Sequence, residues 1–308
     1  MLWRCGYKFE RVVINGEKEP PGIPLVVGSA THGTNAKNLN NKIERGTLLT
    51  REAVQDFARD EFVKEWQKVP VILTDQEISL GLSKVKGAAQ DQTIALSKAY
   101  HYDVAPQIIP NRVERPWVLI AEGYPFDLSG TWDVDEDYFK EGRDGEPKRI
   151  VNIRDTKTRK TDTGQTEVDR SDQYTAYVMS KYILDKVMPT AVIQDTLIKP
   201  TATRPDAIAK IYRSTRTKED FKIFFRRFEA ACRIIEKGIF TPAGSYGFDS
   251  PCGYCGFYLN KSCPFINSKR LLNIPKQTSK RSEQNGTGNK DPKQLISALE
   301  SALGDGSS

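Results

Sequence analysis

Cysteine placement constrains this 308-residue chain more than any other feature. Cys5 stands alone near the start, while Cys252, Cys255 and Cys263 crowd together far down the chain. Thiolates bind soft metals, and a Cys-x-x-Cys step lets two of them share one ion or cluster without backbone strain. A closed zinc or [4Fe–4S] site takes four ligands, so the trio needs a donor from elsewhere. Cys232 belongs to the stripe Phe221, Phe224, Phe225, Phe228, Cys232 and Ile235, whose helical spacing marks it as a small core hydrophobe. Cys5 remains, and with it a fold that joins its two ends at one soft-metal site. Two disulfides are the competing use of these thiols. They belong to secreted proteins, and Arg4 and Lys8 interrupt any apolar leader at the N-terminus.

At 38% hydrophobic residues the chain can build a real core. No apolar run approaches the roughly 20 residues of a membrane span, so a soluble, cytoplasmic protein without a membrane partner is expected. The net charge of +6 leans towards polyanions, but 40 acidic residues lie among 46 basic ones, so an excess must be local to matter.

The pattern divides the chain. Helical signals dominate a portion over about 36–108: a helix starting around Val26 and carrying His32, a second from Thr50 as N-cap with Val54, Phe57, Ala58, Phe62 and Trp66 in step, and a third over roughly 84–102. Strand-like runs follow at 117–122, 126–134 and 149–154, with a polar loop over 135–148. A helix bearing Tyr174, Tyr177, Val178 and Tyr182 separates these from strands at 191–198 and near 208–212. Strands, helix, then strands predict a mixed α/β sheet flanked by helices. Residues 276–292 read as a flexible linker. Over 293–308, Leu295, Ala298, Leu299, Ala302 and Leu303 fit a short amphipathic tail helix, a possible handle for a protein partner.

One pair of segments carries chemistry. Gly130-Thr-Trp-Asp133 ends a strand on a carboxylate, and Asp155-Thr-Lys157 puts a second carboxylate two positions before a lysine. In a strand, positions i and i+2 share a face, so Asp155 and Lys157 project together, and a hairpin would set Asp133 beside them. Two carboxylates and a main-chain carbonyl suit Mg²⁺ or Mn²⁺. A lysine there can position a metal-bound water and offset phosphate charge. The plain alternative is a surface ion pair on an edge strand.

These segments, with the cysteines, resemble the PD-(D/E)xK nuclease superfamily in its RecB-like iron–sulfur branch, which includes AddB-type nuclease domains and CRISPR-associated exonucleases. The resemblance spans roughly 1–275. It rests on Cys5-Gly-Tyr-Lys-Phe9, Gly28-x-x-x-His32, Asp133, Asp155-Thr-Lys157-Thr, Gln173-x-x-x-Tyr177 and the cysteine cluster at 252–263. Two departures stand out: Thr156 replaces the aromatic usual inside the D-x-K core, and seven residues precede Cys263 where five are common.

The resemblance implies a restriction-endonuclease-like mixed sheet with an α-helical N-terminal portion and an iron–sulfur clamp joining the ends. Asp133 and Asp155 would bind Mg²⁺ or Mn²⁺ with the Thr156 carbonyl, and His32 would be a ligand or near-ligand better suited to Mn²⁺. Lys157 would orient the water, while Gln173 and Tyr177 steer phosphate or brace the lysine. Cys5, Cys252, Cys255 and Cys263 would hold a [4Fe–4S] cluster, with zinc as the alternative. Arg159, Lys160, Arg213, Arg216 and Lys218 would meet DNA phosphates, and His101 would be structural. The implied activity is metal-dependent exonuclease action on single-stranded or end-bearing DNA, in recombination, repair or phage DNA metabolism. Two readings compete with it: a non-catalytic nucleic-acid-binding module with structural zinc, and a nuclease subunit of a helicase complex.

Overall fold

The first hundred residues are helical. The structure, a computed structural model describing residues 2–142, 145–243 and 250–266, opens with a short α1 (Gly6–Phe9) and then α2 (Ile23–Arg45), α3 (Arg51–Lys68), α4 (Asp75–Leu80) and α5 (Leu82–Ala99). Their ends follow local chemistry. Pro24 opens α2, Gly46 closes it at φ 74° and Thr50 Oγ1 caps α3 by accepting from Ala53 N.

Five strands come next: β1 (Arg112–Leu119), β2 (Leu128–Glu141), β3 (Pro147–Arg159), β4 (Ala191–Ile198) and β5 (Ile208–Ser214), side by side in chain order in one sheet. β3 and β4 run parallel and the other neighbours antiparallel. The parallel pair needs a crossover, which α6 (Gln165–Asp169) and α7 (Asp172–Asp185) supply. Every residue of β4 is buried, as expected of a central strand covered on both faces. After β5 come α8 (Lys218–Glu236), capped reciprocally by Thr217 and Asp220, and the short α9 (Gly256–Leu259).

Two apolar layers sandwich the sheet. On one face Val27, Ala30 and Leu39 of α2, Phe62 of α3, Leu96 of α5 and Tyr100 pack with Val134 and Leu197. On the other, Tyr174, Tyr177 and Val178 of α7 and Phe221 of α8 pack with Trp117, Trp132, Ile153 and Val192. The mixed sheet with flanking helices and a helical N-terminal part is therefore as expected. Among the described residues no helix is long and apolar enough to cross a membrane.

Three boundaries differ. The helix carrying His32 starts at Ile23, three residues ahead of the expected Val26. The first strand starts at Arg112, ahead of the expected 117. Within the stretch 135–148, expected as a polar loop, residues 135–141 and 147–148 are strand, paired from Val134↔Arg154 to Glu141↔Pro147. Its acidic residues belong in a strand because buried cations meet them. Asp135 accepts from Lys181 at 2.6 and 2.7 Å, and Glu136 lies 3.7 Å from Arg154. The linker at 276–292 and the tail helix at 293–308 lie outside the described residues.

Candidate active site

β1 and β2 break their alternation at one place, and the break makes the site. Val113 pairs with Val134 and both pack on the helical layer; Arg115 pairs with Trp132, which packs under α7. Residues two apart in a regular strand share a face; here 132 and 134 do not. The turnover falls at Asp133 and, opposite it, at Glu114, whose φ of 52° is rare for a residue with a side chain. Gly130 lets the strand through: a Cβ there would sit 2.6 Å from the Trp117 ring.

This kink aims two carboxylates at α2. His32 Nδ1 lies 3.3 Å from Asp133 Oδ2, and ligand atoms of His32, Glu114 and Asp133 all fall within 4.8 Å of one another. Thr156 N donates to the same Asp133 oxygen at 2.7 Å. Beside them a cavity of about 10 Å³, touched by His32, Glu114, Asp133 and Thr156, is the size of one water. Asn35 also lines it, and its Nδ2 is buried with no partner among the described residues.

Asp155 sits next to this trio, in different company. Its Oδ1 accepts from Lys157 Nζ at 2.9 Å, Gln173 Nε2 at 3.2 Å and Tyr177 Oη at 3.4 Å; its Oδ2 accepts from Tyr174 Oη at 3.0 Å and lies 2.7 Å from Lys157 Nζ. The lone pairs of Asp155 are therefore committed, and a cation reaching it must displace a donor. Tyr174 can be displaced cheaply. Its single hydroxyl hydrogen has a second acceptor in Gln194 Oε1, so it can turn away from Asp155 without losing a bond. Gln173 also donates to Tyr177 Oη at 2.7 Å, which fixes both side chains one turn apart on α7.

The electrostatics report an excess of negative charge. Burial and the neighbouring Asp155 charge push Asp133 up to about 7, against the pull of His32 and the Thr156 N–H. Burial likewise raises Glu114, with Asp155 adding and His32 opposing. The hydroxyls of Tyr174 and Tyr177 are held protonated by burial first and then by Asp155, so both act as donors. The site opens into a cleft of about 630 Å³ whose walls include His32, Glu114, Lys157 and the α2 residues Gly28 and Gly33.

The structure thus brings His32, Asp133, Asp155, Thr156, Lys157, Gln173 and Tyr177 into one region. Thr156 serves Asp133 through its N–H, while its buried side chain lies on the helical side near Tyr100. Glu114, Tyr174, Gln194 and Asn35 were missed. The helical face that Tyr174 shares with Tyr177, Val178 and Tyr182 hid it among core residues, and no short-range pattern marks the other three.

The cationic surface needs correction at one residue. Arg216 is buried, with its guanidinium committed to Thr175 Oγ1, Ser214 Oγ and the Val168 carbonyl, so it braces α6 and α7 and cannot meet phosphate. Arg159 pairs with Glu167, and Arg213 reaches Asn152 at 3.5 Å. His101 lies 3.2 Å from Asn38 Nδ2, away from the cleft, and burial lowers its affinity for a proton.

The N-terminal segment meets the segments around residues 241 and 256–265. Gly6 N donates to the Thr241 carbonyl at 2.8 Å, Arg11 donates to Ser262 and stacks 3.7 Å over the Phe257 ring, and Tyr7 meets Phe265 edge-on. Gly256 N donates to Glu19 at 2.9 Å, so close to Pro20 that a Cβ would lie 2.0 Å from its carbonyl oxygen. Burial raises the Cys263 thiol, and Cys252 and Cys5 raise it further, which places these three in one neighbourhood; Cys255 is buried beside them. Their sulfurs form no trio as tight as His32, Glu114 and Asp133. Cys232 is buried in α8, its thiol pushed up to about 11 by burial.

No protein-family model matches this sequence, and comparison with curated proteins finds no relative.

Proposed function

We propose that this protein is a divalent-metal-dependent deoxyribonuclease with a restriction-endonuclease-like core, acting as an exonuclease on single-stranded or end-bearing DNA. The observation that carries the reading is the meeting of His32, Glu114 and Asp133 within 4.8 Å, next to an Asp155–Lys157 pair in the same cleft. An imidazole and two carboxylates that crowd one another form a donor set fit for Mn²⁺ or Mg²⁺, the nitrogen favouring Mn²⁺. In this reading Glu114 joins His32 and Asp133 as a ligand, and Asp155 and the Thr156 carbonyl complete the set.

Bound there, the ion supplies Lewis-acid polarisation of a phosphate oxygen and a water acidic enough to attack at neutral pH. The protein's own groups do the rest. Lys157, on the cleft wall, holds a positive charge where the phosphate gains negative charge, a role worth most in a site that excludes water. Gln173, Tyr174 and Tyr177 lock Asp155 in one orientation. The iron–sulfur part of the reading rests on four cysteines, Cys5, Cys252, Cys255 and Cys263, that match the ligand count of a [4Fe–4S] cluster, with zinc as the alternative.

The test is degradation of end-labelled single- and double-stranded DNA by anaerobically purified protein with Mn²⁺ or Mg²⁺. Brown protein whose activity disappears in Asp155→Ala, with the colour retained, is the expected result. Undiminished degradation by Asp155→Ala or Lys157→Ala overturns the active site, and a colourless zinc protein overturns the cluster.

A further inference from the structure

A second groove runs on from the cleft. It has a volume of about 390 Å³ and shares two wall residues, Pro24 and Leu25, with the cavity that holds His32 and Lys157. Its walls also include Gly253 and Tyr254, which belong to the single 3-10 turn Pro251–Tyr254 that carries Cys252.

The lining chemistry narrows the occupant. Pro21, Ile23, Leu25, Ile72 and Leu259 make the groove largely apolar. Its charged members are satisfied internally: Lys8 pairs with Glu19 at 2.6 Å, and Glu77 accepts from Thr74 in a capping box. The groove therefore offers a phosphate nothing. Tyr254 is 82% exposed, and its ring stacks on no other aromatic among the described residues. Leu25, on the shared wall, is exposed as well. An exposed ring over an apolar floor suits a flat, uncharged, aromatic group. A polymer whose phosphate lies at Lys157 must leave the cleft somewhere, and this groove continues it.

We propose that the groove is a nucleobase subsite, in which a base of the substrate strand away from the scissile phosphate stacks on Tyr254. The proposal rests on the nuclease reading and extends it to the strand's path. It gives the cysteine segment a task as well: Cys252 and Cys255 flank Tyr254, so the fold of that segment sets where the ring stands against the groove. Stacking of this kind tolerates every base, because each has a π face, and demands a single strand, because a paired base is already stacked on its neighbours.

The experiment combines a protein change with a substrate change. Affinity for a labelled single-stranded oligothymidylate is measured by fluorescence anisotropy in EDTA, for wild type, Tyr254→Ala and Tyr254→Trp, with one abasic residue walked along the strand. Wild type should lose affinity at one abasic position, and Tyr254→Ala should lose about five- to a hundredfold on the intact strand, the range for one base–aromatic stack. The two losses should not add, and Tyr254→Trp should restore the wild-type affinity. A Tyr254→Ala loss that persists in full on the abasic strand overturns the proposal, since it marks a structural role; so does unchanged binding. If wild type cleaves DNA in Mn²⁺ while either of those outcomes holds, the nuclease reading survives alone. Failure of wild type both to bind and to cleave removes both.

Discussion

Asp133→Asn should stabilise the metal-free protein while abolishing its activity. Asp133 rises from the ordinary aspartate value of 3.8 to about 7, because it is buried and faces the Asp155 charge. A carboxyl that holds its proton more tightly when folded lowers stability as pH rises through the window between the unfolded and folded values, and the full cost is present above that window. At about 1.36 kcal/mol for each tenfold change in proton affinity, the folded state at pH 8 carries a penalty of about 4 kcal/mol from this one group. Asparagine keeps the oxygen that accepts from Thr156 N and removes the charge. Urea unfolding in EDTA should therefore show the variant more stable by up to about 4 kcal/mol at pH 8, with the difference disappearing only below about pH 3, under the unfolded-state value of 3.8. With Mn²⁺ the order should reverse, because ligand binding stabilises only a protein that holds the ion. A variant less stable than wild type in EDTA at pH 8 refutes the charge-excess account of the site.

Three other outcomes bear on the same architecture. Glu114→Gln should weaken Mn²⁺ binding, read by titration calorimetry, by at least about tenfold, the lower end of what even indirect metal contacts contribute. Among the described residues, Lys181→Met leaves the carboxylate of Asp135, fully buried, with the 3.4 Å contact to Arg115, and should cost about 3–5 kcal/mol by urea denaturation, much of it regained when Asp135→Asn is added. Gly256→Val forces a side chain into the Pro20 carbonyl, and should cost about 1–3 kcal/mol and speed proteolysis of the N-terminal segment.

How much of this was legible in the sequence depended on range. Asp155 and Lys157 could be read because a strand alternates over two residues, and Gln173 and Tyr177 because a helix repeats over four; both rules are local. The β2–β3 hairpin was misread because Asp135 and Glu136 look like loop residues until Lys181 and Arg154 are brought to them, and those partners come from α7 and β3. Glu114 was invisible for a related reason. Its run, Arg112 to Pro116, carries charges and a proline that speak against a strand, and its use depends on a kink that exists only where it faces Asp133.

The kink also explains why the site needs its distant braces. A Glu held at φ 52° costs about 1–3 kcal/mol and persists only where the surroundings impose it. One side is imposed by Trp132, clamped between the Trp117 ring and Ser180 of α7, which accepts from its Nε1 at 3.2 Å. The other is imposed by α2, and α2 begins one residue after Gly22, in the turn against which Gly256 and the cysteine segment press. Loosening the cysteines should thus reach His32 along a single helix of 23 residues, without any ligand of the hard metal being touched. On the proposed reading, cluster loss should therefore lower Mn²⁺ affinity, and a cysteine variant that keeps wild-type Mn²⁺ binding by calorimetry would show that the helix does not transmit the strain.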